Sequence, residues 1–379
     1  LLTRNTIKAL AVLMVDFSCA LKLSMPIAVL SAMRESSGYH ISVKGGRFME
    51  AVANADTVVF DKTGTLTYAT PTVAKVVSFD GYSASEMLRL AACLEEHYPH
   101  SIANAVVAEA KRLGLDHKEY HSQVEYVVAH GISSTVEDKK VIIGSAHFVF
   151  EDEGCVVPEA EQEKFNTLPE EYSHLYLCIA GRLAAVICIS DPLRKEAKEA
   201  IQALHACGIS KVVMMTGDSH RTAEAVAREV GVDQFYAEVL PEDKANFVRQ
   251  EKAAGRKVIM IGDGVNDTPA LSEADVGIAI NTGAAIAREI ADVTIASEDL
   301  FELVTLRKIS QALMSRIQRN YRFIVGFNLM LIVLGVTGVI QPTTSALLHN
   351  ASTLGISLDS MTDLLDKDKE KALPETESA

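Results

Sequence analysis

The chain has 379 residues, 48% of them hydrophobic, which is room for two or three domains with buried cores. Its formal net charge of −14 lacks the basic excess that a nucleic-acid surface needs, so no nucleic-acid partner is expected. No Cys-x-x-Cys pair occurs among Cys19, Cys93, Cys155, Cys178, Cys188 and Cys207, which removes a zinc ribbon or thioredoxin-type centre and leaves small buried hydrophobes in a reducing compartment.

The first predicted element, Ala9 to Met33, is apolar and long enough to span a bilayer, with Asp16 and Lys22 interrupting it. Charges at that depth face a bundle interior or an ion path. Asp16, Cys19 and Lys22 follow at intervals of three, so Cys19 neighbours both on a helix. Pro26 is expected to kink the segment and free a backbone carbonyl beside them. The competing reading is an amphipathic buried helix of a soluble domain. Arg34, Lys44 and Arg47 follow and place that side in the cytosol. The chain opens on Leu1 in mid-pattern, without a signal peptide, and reads as the carboxyl-terminal part of a longer protein.

Next comes Thr57-Val58-Val59-Phe60, a β-branched run expected to form a buried parallel strand. It runs into Asp61-Lys62-Thr63-Gly64-Thr65-Leu66-Thr67. An aspartate at the carboxyl end of such a strand lies where open α/β sheets place their ligand chemistry. A carboxylate there can attack a phosphoryl group and carry it as an aspartyl-phosphate. Lys62, the threonines and Gly64 offer a cation, hydroxyls and closely approachable backbone, all suited to phosphate.

After Thr67 the pattern changes, and the stretch to about Ala185 reads as an inserted α+β domain. From Glu86 to Leu113, residues such as Leu88, Ala91, Leu94, Ile102, Val106 and Ala110 recur at helical spacing. Val124 to Val128, Lys140 to Ile143 and Leu175 to Ile179 read as strands, with Gly131 and Gly144 as turns. The α/β pattern resumes at Val186 to Ser190, followed by Asp191-Pro192-Leu193-Arg194 and a helix with Ala197, Ala200, Ile201 and Leu204 on one face. The strand Val212 to Met215 ends in Thr216-Gly217-Asp218, again a loop able to hold phosphate, and a helix follows over Thr222 to Val230. Pro241-Glu242-Asp243-Lys244 then supplies, in Lys244, a point charge for a phosphoryl oxygen. The strand Val258 to Ile261 ends in Gly262-Asp263-Gly264-Val265-Asn266-Asp267-Thr268-Pro269-Ala270, whose carboxylates are hard ligands of the type Mg²⁺ prefers.

Arg316 to Arg322 is basic, and Phe323 to Ile340 is apolar, uncharged and long enough for a span. Pro342 marks a turn into a weaker second span, Thr344 to Leu358. There His349, Ser352, Thr353 and Ser360 share a face, either as interhelical glue or as part of an ion path. The tail from Asp366, rich in Lys, Glu and Asp, is expected to be disordered.

The loops Asp61–Thr67, Asp191–Arg194, Thr216–Asp218 and Gly262–Ala270, in this order, resemble the P-type ATPases, in particular their heavy-metal branch. The resemblance runs from Leu1 to about Leu365. It implies an α/β fold: a haloacid-dehalogenase-like doubly wound parallel sheet with an inserted α+β nucleotide-binding domain, flanked by transmembrane helices. The implied domains are a transmembrane metal-site helix (1–33), a discontinuous phosphorylation domain (34–69 and 186–305), the nucleotide-binding domain (70–185), two transmembrane helices (306–365) and the disordered tail (366–379). The implied activity is ATP-driven transport of a transition-metal cation through an aspartyl-phosphate, with ATP and Mg²⁺ as cofactors. The implied setting is a bacterial plasma membrane with the catalytic domains in the cytosol. Membrane lipid, the metal ion and the remaining amino-terminal half of the same pump would be the partners.

In that family Asp61 is the nucleophile, and Mg²⁺ is held by Asp61, the Thr63 carbonyl and Asp263. Lys62, Thr63, Thr216, Gly217, Asp218, Lys244, Asn266 and Asp267 complete the site. Thr63 stands where related phosphatases place an acid-base aspartate, which implies a long-lived phosphoenzyme. The family's Ser-Glu-His-Pro element corresponds to Glu96-His97-Tyr98-Pro99-His100-Ser101. Alignment on Ala103-Asn104-Ala105 makes His100 the adenine-stacking histidine without a gap, and alignment on the proline favours His97. The Gly-x-Gly element is Ala129-His130-Gly131, its first glycine replaced, and Gly144 matches a later glycine.

The Cys-Pro-Cys triplet is represented by Phe17-Ser18-Cys19-Ala20-Leu21, then Met25-Pro26, so Cys19 inherits the ligand role with Ser18 as helper. His349-Asn350-Ala351-Ser352-Thr353 resembles the last helix's specificity motif. One thiolate with histidine and carboxylate suits Zn²⁺, Cd²⁺ or Co²⁺, Mn²⁺ is compatible, and Cu(I) is the alternative. The family's Thr-Gly-Glu loop does not occur, so the isolated chain is expected to autophosphorylate without completing a transport cycle. A reading from a different class is a soluble haloacid-dehalogenase-type phosphohydrolase, against which the spans and Thr63 both argue.

Overall fold

A computed structural model describes residues 6–68, 70–97, 101–115, 125–127, 131–169, 172–262, 267–280, 289–296 and 299–365. The chain divides into two compact units, Asp56–Ala291 and, together, Leu1–Ala55 with Asp292–Ala379. Residues 34–55 and 292–305 group with the long helices in this division.

The first unit is built on five parallel strands in the spatial order Val276–Ile280, Val258–Gly262, Thr57–Asp61, Lys211–Met215 and Gln234–Tyr236. Thr57–Asp61 is first in the chain and central in the sheet, and all five of its residues are buried, which is why it reads as an unbroken apolar run. Later strands are added on one side of it and then on the other. The order reverses between Thr57–Asp61 and Val258–Gly262, and such a switch point leaves a crevice at the strands' carboxyl ends. The helix Ala197–Ala206 buries Ala197, Ala200, Ile201 and Leu204, the face expected from their spacing.

Between Thr67 and Asp191 an antiparallel sheet is inserted, in the order Thr72–Ser78, Arg182–Ser190, Ser173–Ile179, Lys139–Gly144, Gly131–Val136 and Glu125–Val127. Helices Ala84–Glu95 and Ser101–Arg112, rather than one helical stretch, cover one face through Leu88, Ala91, Leu94 and Val106. Phe148, Phe165 and Tyr176 fill the other, together with the buried Cys155, Cys178 and Cys188.

Arg182–Ser190 pairs with Thr72–Ser78 and Ser173–Ile179, so it belongs to the insert, and the expected boundary at 185/186 moves to 190/191. The reason is physical. A strand covered on both faces is continuously apolar whether its neighbours are parallel or antiparallel.

Gly131 and Gly144, expected as turns, are instead paired strand residues. A Cβ on Gly131 would meet the Ile143 carbonyl and lie 2.5 Å from Phe148 Cδ1. Gly131→Ala is therefore expected to destabilise the chain by about 1–3 kcal/mol through overpacking, read as a lowered unfolding midpoint in urea. An unchanged midpoint would refute the close approach.

In the second unit the expected continuous span divides into Thr6–Leu13 and Phe17–Ser37. The break falls at residues 14–16, and Pro26 lies inside the second helix. Asp16 explains the break: its carboxylate accepts the Ser18 N–H at 2.8 Å, as a strong N-cap does. Gly45-Gly46 opens the helix Gly46–Asn54, where a Cβ on Gly46 would lie 2.5 Å from Val29, so the bare backbone permits close packing on Phe17–Ser37. Ile41–Val43 pairs antiparallel with Val293–Ile295.

Phe301–Thr337 is, among the described residues, the one helix long and apolar enough to cross a membrane by length and composition. Its 37 residues extend about 55 Å, nearly twice the thickness of a hydrocarbon core. Gly338, in the left-handed region at φ 83°, ends it, and Pro342 starts Pro342–Asp359. The segment after that last helix is clamped. Glu35 accepts the N–H groups of Leu364 and Leu365 at 2.6 and 2.9 Å, and Arg316 donates to Thr362 and Asp363. The expected tail, 366–379, lies outside the described residues.

Candidate active site

Asp61 is the last residue of the central strand, and the turn after it is shaped by its own sequence. Gly64 takes φ 73°, a left-handed conformation that a side chain would resist. The Thr67 hydroxyl accepts the Gly64 N–H at 3.0 Å, and the Thr67 N–H returns to the Lys62 carbonyl at 3.2 Å. Arg194, buried, donates to the Thr65 carbonyl at 2.8 Å and to the Gly64 carbonyl at 3.4 Å. The Asp191–Arg194 loop thus braces the acceptor loop from behind. Its motif was visible in the sequence, but this role was not.

Lys244 reaches the crevice from the first turn of the helix Pro241–Ala253. That helix starts where Pro241 fits an N-terminal position and the Asp243 carboxylate accepts the Leu240 N–H at 3.1 Å. Lys244 Nζ donates to Asp61 Oδ1 at 2.6 Å and to Asp267 Oδ1 at 2.8 Å, with all three side chains buried. Burial works against the Lys244 ammonium, but the two carboxylates outweigh it and hold its pKa above the ordinary lysine value. Asp267 leads into the short helix Thr268–Glu273. A Cβ on Gly262 would lie 2.5 Å from its Oδ2, so only glycine lets this carboxylate fold back toward Asp61.

A second ion pair flanks the first. Lys62 Nζ lies 2.5 Å from Asp218 Oδ2. Burial opposes the Lys62 charge, and Asp218, Asp191 and Asp61 together overcome it and raise its pKa. Burial likewise opposes the Asp218 carboxylate, and Lys62, Ser173 and Thr216 more than compensate, lowering its pKa. The Thr216 hydroxyl accepts the Asp218 N–H at 3.1 Å, which fixes the turn through Gly217. Asp61, Lys62, Thr63, Thr216, Gly217, Asp218, Lys244 and Asp267 thus come from three strand-end loops and one helix start. Asp263 and Asn266 lie outside the described residues. The donors facing Lys244 are carboxylate oxygens, a hard set of the kind Mg²⁺ takes.

In the insert, Gly131 and Gly144 are paired residues, His97 is partly exposed within 4.0 Å of Glu96, and His100 lies outside the described residues. In the helical unit, Cys19 is exposed and its thiol donates to Asp16 Oδ2 at 2.8 Å, while the Ser18 hydroxyl donates to the same oxygen at 3.1 Å. His349 is buried, with Nδ1 3.0 Å from Asn328 Oδ1. Asn328 went unremarked in the sequence, where it sits inside an apolar span. Among the described residues no three His, Cys, Asp or Glu side chains converge on a metal position.

Residues 55–275 match the family model for haloacid dehalogenase-like hydrolase. A copper-transporting ATPase of Rhizobium meliloti is 38% identical over 347 residues, 90% of this chain and 41% of that protein. A zinc-exporting P-type ATPase of Mycobacterium marinum is 33% identical over 364 residues, 95% of this chain and 49% of that protein. A manganese-exporting P-type ATPase of Mycobacterium tuberculosis is also 33% identical over 364 residues, covering 95% and 50%. The chain therefore spans 41 to 50% of the length of these relatives. Among solved structures, a zinc-transporting PIB-type ATPase in the E2.Pi state aligns with a TM-score of 0.66 and 30% identity, over 90% of this chain and 55% of that one.

Proposed function

The chain belongs to the haloacid dehalogenase-like hydrolases and, within them, to the heavy-metal branch of the P-type ATPases, and from that premise we propose that it performs the phosphoryl-transfer chemistry of an ATP-driven transition-metal transporter. The observation that carries this reading is the buried cluster at the switch point of the sheet, with Asp61 and Asp267 both on the Lys244 ammonium. A carboxylate oxygen of Asp61 attacks the γ-phosphorus of ATP. The bond from phosphorus to the bridging oxygen breaks, ADP leaves with that electron pair, and the phosphoryl group stays on Asp61 as an acyl phosphate. Lys244 offsets charge on the transferring oxygens. Asp61, the Thr63 carbonyl and Asp263 would hold Mg²⁺, which supplies further neutralisation of the phosphoryl group. Thr63 offers no carboxylate to activate water, so the acyl phosphate persists long enough to drive a conformational change.

The cargo reading rests on donor chemistry. The Cys19 thiol lies among oxygen donors from Asp16 and Ser18, and His349 adds an imidazole in the same helical unit. A single sulfur with oxygen and nitrogen donors suits a borderline divalent ion, whereas Cu(I) favours a second sulfur. The cargo is accordingly Zn²⁺, Cd²⁺ or Co²⁺, with Mn²⁺ compatible, and the exporting relatives support movement out of the cytosol.

Acid-stable labelling of the detergent-purified protein by ATP, scanned against Zn²⁺, Cd²⁺, Co²⁺, Mn²⁺ and Cu(I), tests this. Stimulation by a divalent ion, lost in Cys19→Ala, is expected. Stimulation by Cu(I) alone, or indifference to every ion, would sink the cargo assignment.

A further inference from the structure

The chain passes between the inserted and parallel sheets twice, ahead of Thr72 and after Ser190. The two crossings lie side by side, joined by the Thr67–Leu193 bridge and by the Tyr68 N–H on the Pro192 carbonyl at 3.1 Å. Two adjacent strands tied in this way make a hinge: they fix the insert's position and leave it free to swing. A third contact, off that axis, is needed to define an orientation.

Tyr172 and Ser173, at the start of an insert strand, supply one. The Tyr172 carbonyl accepts the Thr222 hydroxyl at 3.1 Å. The Ser173 hydroxyl donates to Asp218 Oδ1 at 3.0 Å and accepts from Lys62 Nζ at 3.4 Å. A hydroxyl can do both at once, so this half-buried side chain bridges the two charges of an ion pair that begins one residue after Asp61.

We propose that Ser173 is a positioning residue, whose hydroxyl docks the inserted domain on the Lys62–Asp218 pair and so sets that domain's orientation over Asp61 when a nucleotide donates its phosphoryl group. The proposal rests on Asp61 being the phosphoryl acceptor and on the insert being the nucleotide-binding domain that the family resemblance implies. It separates two donors. ATP needs the insert to carry its γ-phosphate to Asp61, whereas acetyl phosphate is small enough to reach the crevice without it.

The test measures the rate of acid-stable labelling of the full chain by each donor. Ser173→Ala is expected to slow labelling by ATP about tenfold, the scale of a lost hydrogen bond to a charged group, and to leave labelling by acetyl phosphate unchanged. Ser173→Thr, which keeps the hydroxyl, should label normally with both. Thr222→Val, which removes the neighbouring contact, should repeat the ATP-selective loss if Ser173→Ala folds poorly. Unchanged labelling by ATP in Ser173→Ala, or an equal loss with both donors, would overturn the docking role. A parent chain labelled by neither donor would overturn the acceptor reading and the docking role together.

Discussion

Asp61→Asn is expected to abolish the acid-stable, hydroxylamine-labile phosphoenzyme, lowering labelling by ATP by about a thousandfold or more, the scale on which loss of a covalent nucleophile is felt. The substitution keeps shape and volume, and an amide oxygen can still accept from Lys244, so the loop has no steric reason to rearrange. What disappears is the charged oxygen that forms the new bond. Two carboxylates share one buried ammonium here, so neutralising one relieves like-charge repulsion. The variant should therefore unfold at the same temperature as the parent or slightly higher, and that result separates lost chemistry from lost folding. A phosphoenzyme of normal yield in Asp61→Asn would place the acceptor on another residue.

The acceptor loop was legible because its constraints are local. A strand end, a glycine forced to positive φ and a threonine that closes the turn all fall within seven consecutive residues, and each type is chosen for a reason that needs no tertiary contact. Lys244 and Asp267 were legible through their loops, although only the fold shows that Asp61 and Asp267 meet on the Lys244 ammonium. Where the reading went astray, tertiary context decided. Arg182–Ser190 is apolar because two layers cover it, and no periodicity distinguishes that from a central parallel strand. Gly131 is small because Phe148 and a neighbouring strand press on it, not because the chain turns there. The first span was expected to be continuous as far as Met33, yet Asp16 breaks it by capping the helix that follows. Ser173 left no signal of its own, and Arg194 showed its motif but not its role, since each acts by touching a loop far away in sequence.

Removing Lys244 tests the same cluster from its cationic side. Lys244→Met keeps the aliphatic stem and deletes the ammonium, leaving Asp61 and Asp267 buried without their shared partner. Breaking a buried pair in this way costs about 3–5 kcal/mol, because the remaining charge is neither solvated nor matched. The sign with pH is fixed by the raised pKa of Lys244. A group whose pKa is higher in the folded state contributes fully below its unfolded value, about 10.4, and loses that contribution only as pH climbs through the folded value. The stability gap between parent and Lys244→Met should thus stay constant as far as the Lys244 ammonium is concerned between about pH 6 and pH 9. Phosphorylation by ATP should fall about a hundredfold to a thousandfold, as when one preorganised donor is taken from developing charge. Adding Asp61→Asn to Lys244→Met removes one of the stranded carboxylates, so the double variant should regain part of the lost stability and none of the activity. Denaturant midpoints for the four proteins of that cycle measure the coupling directly. Strict additivity would mean that Lys244 and Asp61 do not interact in solution, and the site would then have to be built on some other pair.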